Sequence, residues 1–173
     1  DAKKALTETN SDFEAAVKYL REKGLADSKK REDKEANQGT IGDYIHYQQD
    51  RAVSGVLVEL ACETDFVAKS EEFKESAKQI AMHIAAMKPN FLNIEDIPEA
   101  KLTEEKDIIV KQSENEGKPA EVIEKIVEGR IISFYKDTVL NEQIFCNPEI
   151  YDGKVSTMIE EMSGKLGEKI FIK

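Results

Sequence analysis

The possible folds are restricted most by a change of hydrophobic period between two neighbouring segments, SGVLVELAC at residues 54–62 and EEFKESAKQIAMHIAAM at residues 71–87. In the first, Val56, Val58, Leu60 and Cys62 recur at every second position, the spacing that lines one face of a strand. Leu57 and Ala61 make the opposite face partly apolar, so a central strand is expected. In the second, Phe73, Ala77, Ile80, Ile84 and Met87 form one helical stripe, Ser70 can cap its start, and Lys88-Pro89 ends it. Upstream, TIGDYIHYQ at residues 40–48 is rich in β-branched and aromatic side chains, and the polar QQDRAV suits a hairpin loop. A simple hairpin closed by residues 49–53 sets Thr40 opposite Cys62 and His46 opposite Val56.

The remainder reads as helical. DAKKALTE is the tail of a helix, and Asn10 or Ser11 is available as a cap for the next. In DFEAAVKYLREKG, Phe13, Ala16, Val17 and Leu20 share a face, with Gly24 as the stop. So short a pair cannot bury its own stripe, which calls for a third helix upstream of Asp1 or a partner surface. Two further helices, about 103–115 and 120–136, are separated by Gly117 as a stop and Pro119 as a start, and predict an antiparallel hairpin. KVSTMIEEMSGKLG is one more amphipathic helix, and EKIFIK alternates as a strand able to join the sheet. The expected class is α+β: a small helical module at 1–25, a charged linker at 26–39, and a core at 40–173 with a small antiparallel sheet packed by helices.

With 173 residues, 40% of them apolar, the chain can build one core and little more. A formal net charge of −10 disfavours duplex nucleic acid, whose binding needs surplus Lys and Arg. No membrane span or signal peptide is evident, so a soluble chain is expected. Cys62 and Cys146 have no C-x-x-C spacing, which argues against a disulfide scaffold and a zinc site and suits a reducing compartment.

A nucleophilic enzyme needs a Cys or Ser beside a His. In the simple hairpin His46 lies about 20 Å from Cys62 along the sheet, which excludes that dyad, while His83 stays open. No glycine-rich phosphate loop occurs, so no cofactor is expected. The acids Glu59, Glu63, Asp65, Glu71 and Glu72 invite a metal, but the last two open a helix, where the dipole favours acids without any ligand. No metal site is expected. Lys29, Lys30, Arg31 and Lys34 form a basic run broken by acids, which reads as a solvated linker. His83 falls at the margin of its helix's apolar stripe, where a half-exposed structural histidine and a partner contact are both open. Thr64 and Asp65 are ordinary turn formers. Phe66 at the turn can equally tuck under the sheet edge or be offered outward.

Taken together, DAKKAL with DFEAAVKYLREKGL, then GDYIHYQ, RAVSGVLVEL and CETDFVAKSEEF, then AMHIAAMKPNF, EGKPAEVIEKIVEGRI and the QIF of residues 143–145, resemble the translation elongation factor Ts family in order along nearly the whole chain. The resemblance implies a non-enzymatic guanine nucleotide exchange factor for elongation factor Tu. It implies that the loop Thr64, Asp65, Phe66 and Val67 intrudes at the partner's nucleotide domain and perturbs its magnesium site. It further implies contacts by His83 and, at the strand start, by Gly55 and Val56, where RAVSGVLV carries an extra residue relative to the family's usual run. Leu20, Gly24 and Leu25 would be contacts of an N-terminal ubiquitin-associated-like module. With no room for the inserted coiled-coil subdomain of long family members, the chain resembles the family's short form, with which a homodimer is compatible, and location in bacterial cytoplasm or an organelle matrix is implied. Two other classes remain beside this one: a helical adaptor on an α+β scaffold, and a cysteine hydrolase centred on Cys62 and His83.

Overall fold

The computed structural model describes residues 2–31 and 33–173, with the side chains of Leu25 and Lys29 outside the description. It divides into two compact units, Asp1–Ala85 with Ser156–Lys173, and Ala86–Val155. Together they carry the expected α+β content.

In the first unit, α1 (Ala2–Glu8) and α2 (Phe13–Lys29) are joined by a tight turn in which Asn10 and Ser11 both take positive φ, 51° and 66°. Neither therefore caps α2. Asp12 does, accepting from the Ala15 N–H at 2.9 Å. Gly24 does not stop the helix either; α2 continues to Lys29, so its last turn occupies residues read as linker. The reason is packing: a Cβ on Gly164 would meet the Gly24 backbone at 2.7 Å, so at Gly24 the helix passes close to another helix. The stripe on α2 is split, with Ala16 buried while Phe13 and Val17 are exposed.

Strands β1 (Gln38–Gln48) and β2 (Arg51–Cys62) form a long hairpin closed by Gln49 and Asp50 alone, with φ of 48° and 61° as a type I′ turn requires. The tighter turn moves the register by two from the simple hairpin: Gln38 faces Cys62, Thr40 faces Leu60 and His46 faces Ser54. Pairing then slips between His46 and Tyr47, whose partner is Ala52, so Val53 opposes no residue and forms a bulge. β3 (Phe171–Ile172) pairs antiparallel with β2, which is central in the order β1-β2-β3 as its two-sided apolar pattern predicts.

A short helix, α3 (Asp65–Lys69), leads into α4 (Glu71–Met87), whose Phe73, Ala77, Ile80 and Ala81 are buried. Ser70 caps α4 as expected, its Oγ accepting from the Phe73 N–H at 3.3 Å, and Lys88 leaves the helix at φ 49°. α4 and β1 come into contact through Gly42, where a Cβ would lie 2.2 Å from the Ala77 carbonyl oxygen. α7 (Val155–Leu166) ends in Gly167 at φ 71°, and the chain then runs into β3.

The second unit holds the helical hairpin, α5 (Glu99–Asn115) and α6 (Ala120–Thr138), reversed through Gly117 at φ 72° with Pro119 at the start of α6. Arg130 ties the two helices by donating to Gln112 Oε1 at 2.6 Å. Buried Gln143 donates to the Asp137 carbonyl at 2.9 Å and fixes the exit of α6.

Candidate functional site

The strand that ends at Cys62 must turn before α3 can start, and the N–H groups of Glu63 and Thr64 just beyond it have no ladder to enter. Thr64, extended at φ −121° and ψ 155°, takes the cap position, its hydroxyl accepting from the Val67 N–H at 3.4 Å. α3 is barely one turn long, so Asp65 and Phe66 sit at its very start. Ala68 is its buried residue, and Val67 is half-buried. Phe66 points away from the core with 84% of its surface exposed, which decides between the two placements the sequence left open. Beside it, the Asp65 carboxylate pairs with Lys69 at 2.6 Å, and that hydrogen bond and charge hold its pKa below the usual aspartate range.

The corner is anchored by two carboxylates acting in opposite directions. Glu168, just past the end of α7, accepts from the Glu63 and Thr64 N–H groups through Oε2 at 3.1 and 3.0 Å, and from the Thr64 hydroxyl through Oε1 at 2.5 Å. Glu63 returns the arrangement, accepting from the Lys169 N–H at 2.6 Å. Arg31 at 3.7 Å and Lys34 at 3.8 Å lie against the Glu63 carboxylate, so part of the basic run read as solvated linker is paired. Cys62 is buried under the corner and donates to the Thr64 carbonyl at 3.2 Å. Burial, with the Glu168 charge nearby, raises its thiol pKa, which is the reverse of what a nucleophile needs. His46, facing Ser54, lies eight residues along the sheet from Cys62, about 26 Å away.

The other expected residues are dispersed. His83, placed at the margin of the α4 stripe by its spacing, is instead completely enclosed; 80° off the stripe is still within the packed side of a helix buried over so wide a face. Gly55, exposed, and Val56, half-buried, pair with Ile45 and Tyr44 in the distal part of the hairpin. Val56 is six residues from Cys62, about 20 Å, so they do not join the corner. Leu20 and Gly24 line a groove with Arg21, Glu161 and Gly164, and Arg21 is ion-paired to Glu161 across it. The side chain of Leu25 lies outside the described residues. Among the described residues no cluster of three or more His, Cys, Asp or Glu could hold a metal ion, and no helix is long and apolar enough to cross a membrane.

Neither motif nor spacing marks Glu168, Arg31 and Lys34 as parts of the corner. The only hint in the sequence is Gly167-Glu168 following a helix, which reveals a carboxylate at a turn and nothing of its target.

Comparison with known proteins gives one family. A family model described as Elongation factor TS matches residues 3–173. Elongation factor Ts of Moorella thermoacetica is 47% identical over 173 residues, covering 100% of this chain and 83% of that protein. Elongation factor Ts of Caldanaerobacter subterraneus subsp. tengcongensis is 48% identical over 174 residues, covering 100% and 84%. That of Desulforamulus reducens is 47% identical over 173 residues, covering 100% and 77%.

Proposed function

This chain belongs to the elongation factor Ts family, that of the nucleotide exchange factor of elongation factor Tu, and on that premise we propose that it releases GDP by pressing Asp65 and Phe66 against the partner's magnesium and phosphate region. The observation that carries the reading is Phe66, 84% exposed at the tip of a corner fixed by hydrogen bonds on both sides. An apolar ring held in water by a stiff mount has its burial free energy still to gain, and a docking partner can supply that burial.

Magnitudes set the division of labour. GDP held at nanomolar affinity is bound by about 12 kcal/mol. Burying one phenylalanine supplies about 2 to 3 kcal/mol, so Phe66 cannot act alone. The rest must come from an interface of about 1,600 Å² or more. The exposed Phe13 and Val17 on α2 and the exposed sheet residues Ile41 and Leu57 offer apolar surface for that grip. Displacing a magnesium ion that bridges protein and phosphate oxygens gives leverage for a small movement of the wedge. The contact implied for His83 requires its enclosure to open when the partner docks. The exchange protein itself makes and breaks no covalent bond.

The test is release of fluorescent GDP from elongation factor Tu. The chain should accelerate it, the Asp65→Ala/Phe66→Ala double variant should lose most of the acceleration while still folding, and mild alkylation of Cys62 should leave it unchanged. A fully active double variant refutes the wedge, and partner binding that survives it with no exchange activity in either protein favours an adaptor.

A further inference from the structure

We infer that Glu168 is the positioning residue of the exchange corner, an inference that rests on reading Asp65-Phe66 as the wedge. A wedge transmits load only if its mount is stiffer than what it presses on. The weak point of this mount is the step from β2 to α3, where the Glu63 and Thr64 N–H groups have left the β ladder. Without an acceptor they turn to water, and the corner can hinge about the two peptides between Cys62 and Thr64. The Glu168 carboxylate takes both N–H groups on one oxygen and the Thr64 hydroxyl on the other, so it fixes the direction of both peptides and the rotamer of the cap at once. Hydrogen bonds to an ionised acceptor are the stronger kind.

Glu168 is itself held. Its carbonyl accepts from the Ser163 hydroxyl at 2.5 Å, and Gly167, in the left-handed region at φ 71°, sets the turn that brings the side chain round from α7. The next residue donates its N–H back to Glu63, so the end of α7 and the corner grip each other by carboxylate-to-amide bonds running both ways. Glu168 is not among the residues assigned to the partner contact. Glu168 acts through the orientation of Thr64, and Thr64 through the start of α3.

A residue that merely stabilises the fold and one that aims the wedge differ in kinetics. Loss of aim lowers the maximal exchange rate but spares the grip. Fluorescent GDP release should be measured against increasing concentrations of the parent chain, Glu168→Ala, Glu168→Gln and Phe66→Ala, with amide hydrogen exchange followed at Glu63 and Thr64. Glu168→Ala should lower the maximal rate about tenfold while moving the half-saturating concentration by less than about twofold. Its Glu63 and Thr64 amides should exchange faster, with the β1-β2 ladder still protected. Glu168→Gln keeps one acceptor oxygen and should recover part of the rate. An unchanged maximal rate in Glu168→Ala, with Phe66→Ala slow, overturns the positioning role and leaves the wedge standing. Both variants at the parental rate overturn the wedge and this inference with it. Should Glu168→Ala lose ladder protection, the Gln variant decides: an intact ladder with faster corner amides and a full maximal rate overturns the role, and a reduced rate supports it.

Discussion

Phe66 and Asp65 are neighbours with different requirements. The ring needs only a stiff backbone to stay in water, whereas the carboxylate is held by Lys69 one turn on. Because that pairing lowers the Asp65 pKa, its favourable contribution is present above the ordinary aspartate value of about 3.9 and is lost as pH falls through the lower folded value. Both side chains are largely exposed, so solvent screening leaves little effect on stability at neutral pH. The expected outcome is that Lys69→Ala moves the Asp65 titration back up toward the ordinary range without changing the thermal midpoint noticeably, read by NMR of the carboxyl carbon. An Asp65 midpoint already at the ordinary value in the parent chain removes the pair. The outward ring was not legible in the sequence because a five-residue helix holds too few positions to define a face. His83 differs in kind: its spacing gives its angle from the stripe, but the width of the buried face depends on what packs there, which the helix alone does not encode.

Among the elements, the sheet and the long helices were legible because each repeats its period several times. α4, β2 and the α5-α6 reversal appear where alternation, stripe and the Gly117 and Pro119 signals put them. What could not be read were features set by distant residues, such as the Glu168 clamp that spans 104 positions to Thr64. Gly24 belongs to the same class. Its local signal resembled a helix stop, yet its role is a close approach to Gly164. The two glycines are unequal there. A Cβ on Gly164 would lie 2.7 Å from the Gly24 Cα and 2.8 Å from its carbonyl oxygen, both backbone atoms that cannot swing aside, while a Cβ on Gly24 finds its nearest neighbour at 3.8 Å. Gly164→Ala should therefore destabilise the chain by about 1 to 3 kcal/mol, as overpacking does. Gly24→Ala should be neutral or stabilise by up to about 1 kcal/mol from helix propensity. Thermal denaturation of the two variants checks this, and equal losses would show that the helices do not cross there.

For the whole molecule, the proposed grip and wedge should be separable, because the residues assigned to them lie on different surfaces of the first unit. Phe13 is 74% exposed and Val17 50%, the uncovered part of the α2 stripe that also carries buried Ala16. If that face holds the partner without touching its nucleotide site, Phe13→Ala with Val17→Ser weakens binding to the GDP-bound and nucleotide-free partner by the same factor. The half-saturating concentration then rises about tenfold or more, since two buried apolar side chains are worth about 2 kcal/mol or more, and the maximal rate stays put. Altering the wedge should do the reverse, because only contacts that differ between the two states of the partner move nucleotide affinity. Linkage makes this checkable without kinetics. The ratio of the chain's affinities for nucleotide-free and GDP-bound elongation factor Tu equals the factor by which the chain weakens GDP binding. Calorimetry should find that ratio preserved in the α2 variant and collapsed toward one in Asp65→Ala/Phe66→Ala. A ratio that falls with the α2 variant instead would place the discriminating contact on the N-terminal helices, and the exposed ring at the corner would then be one contact among many.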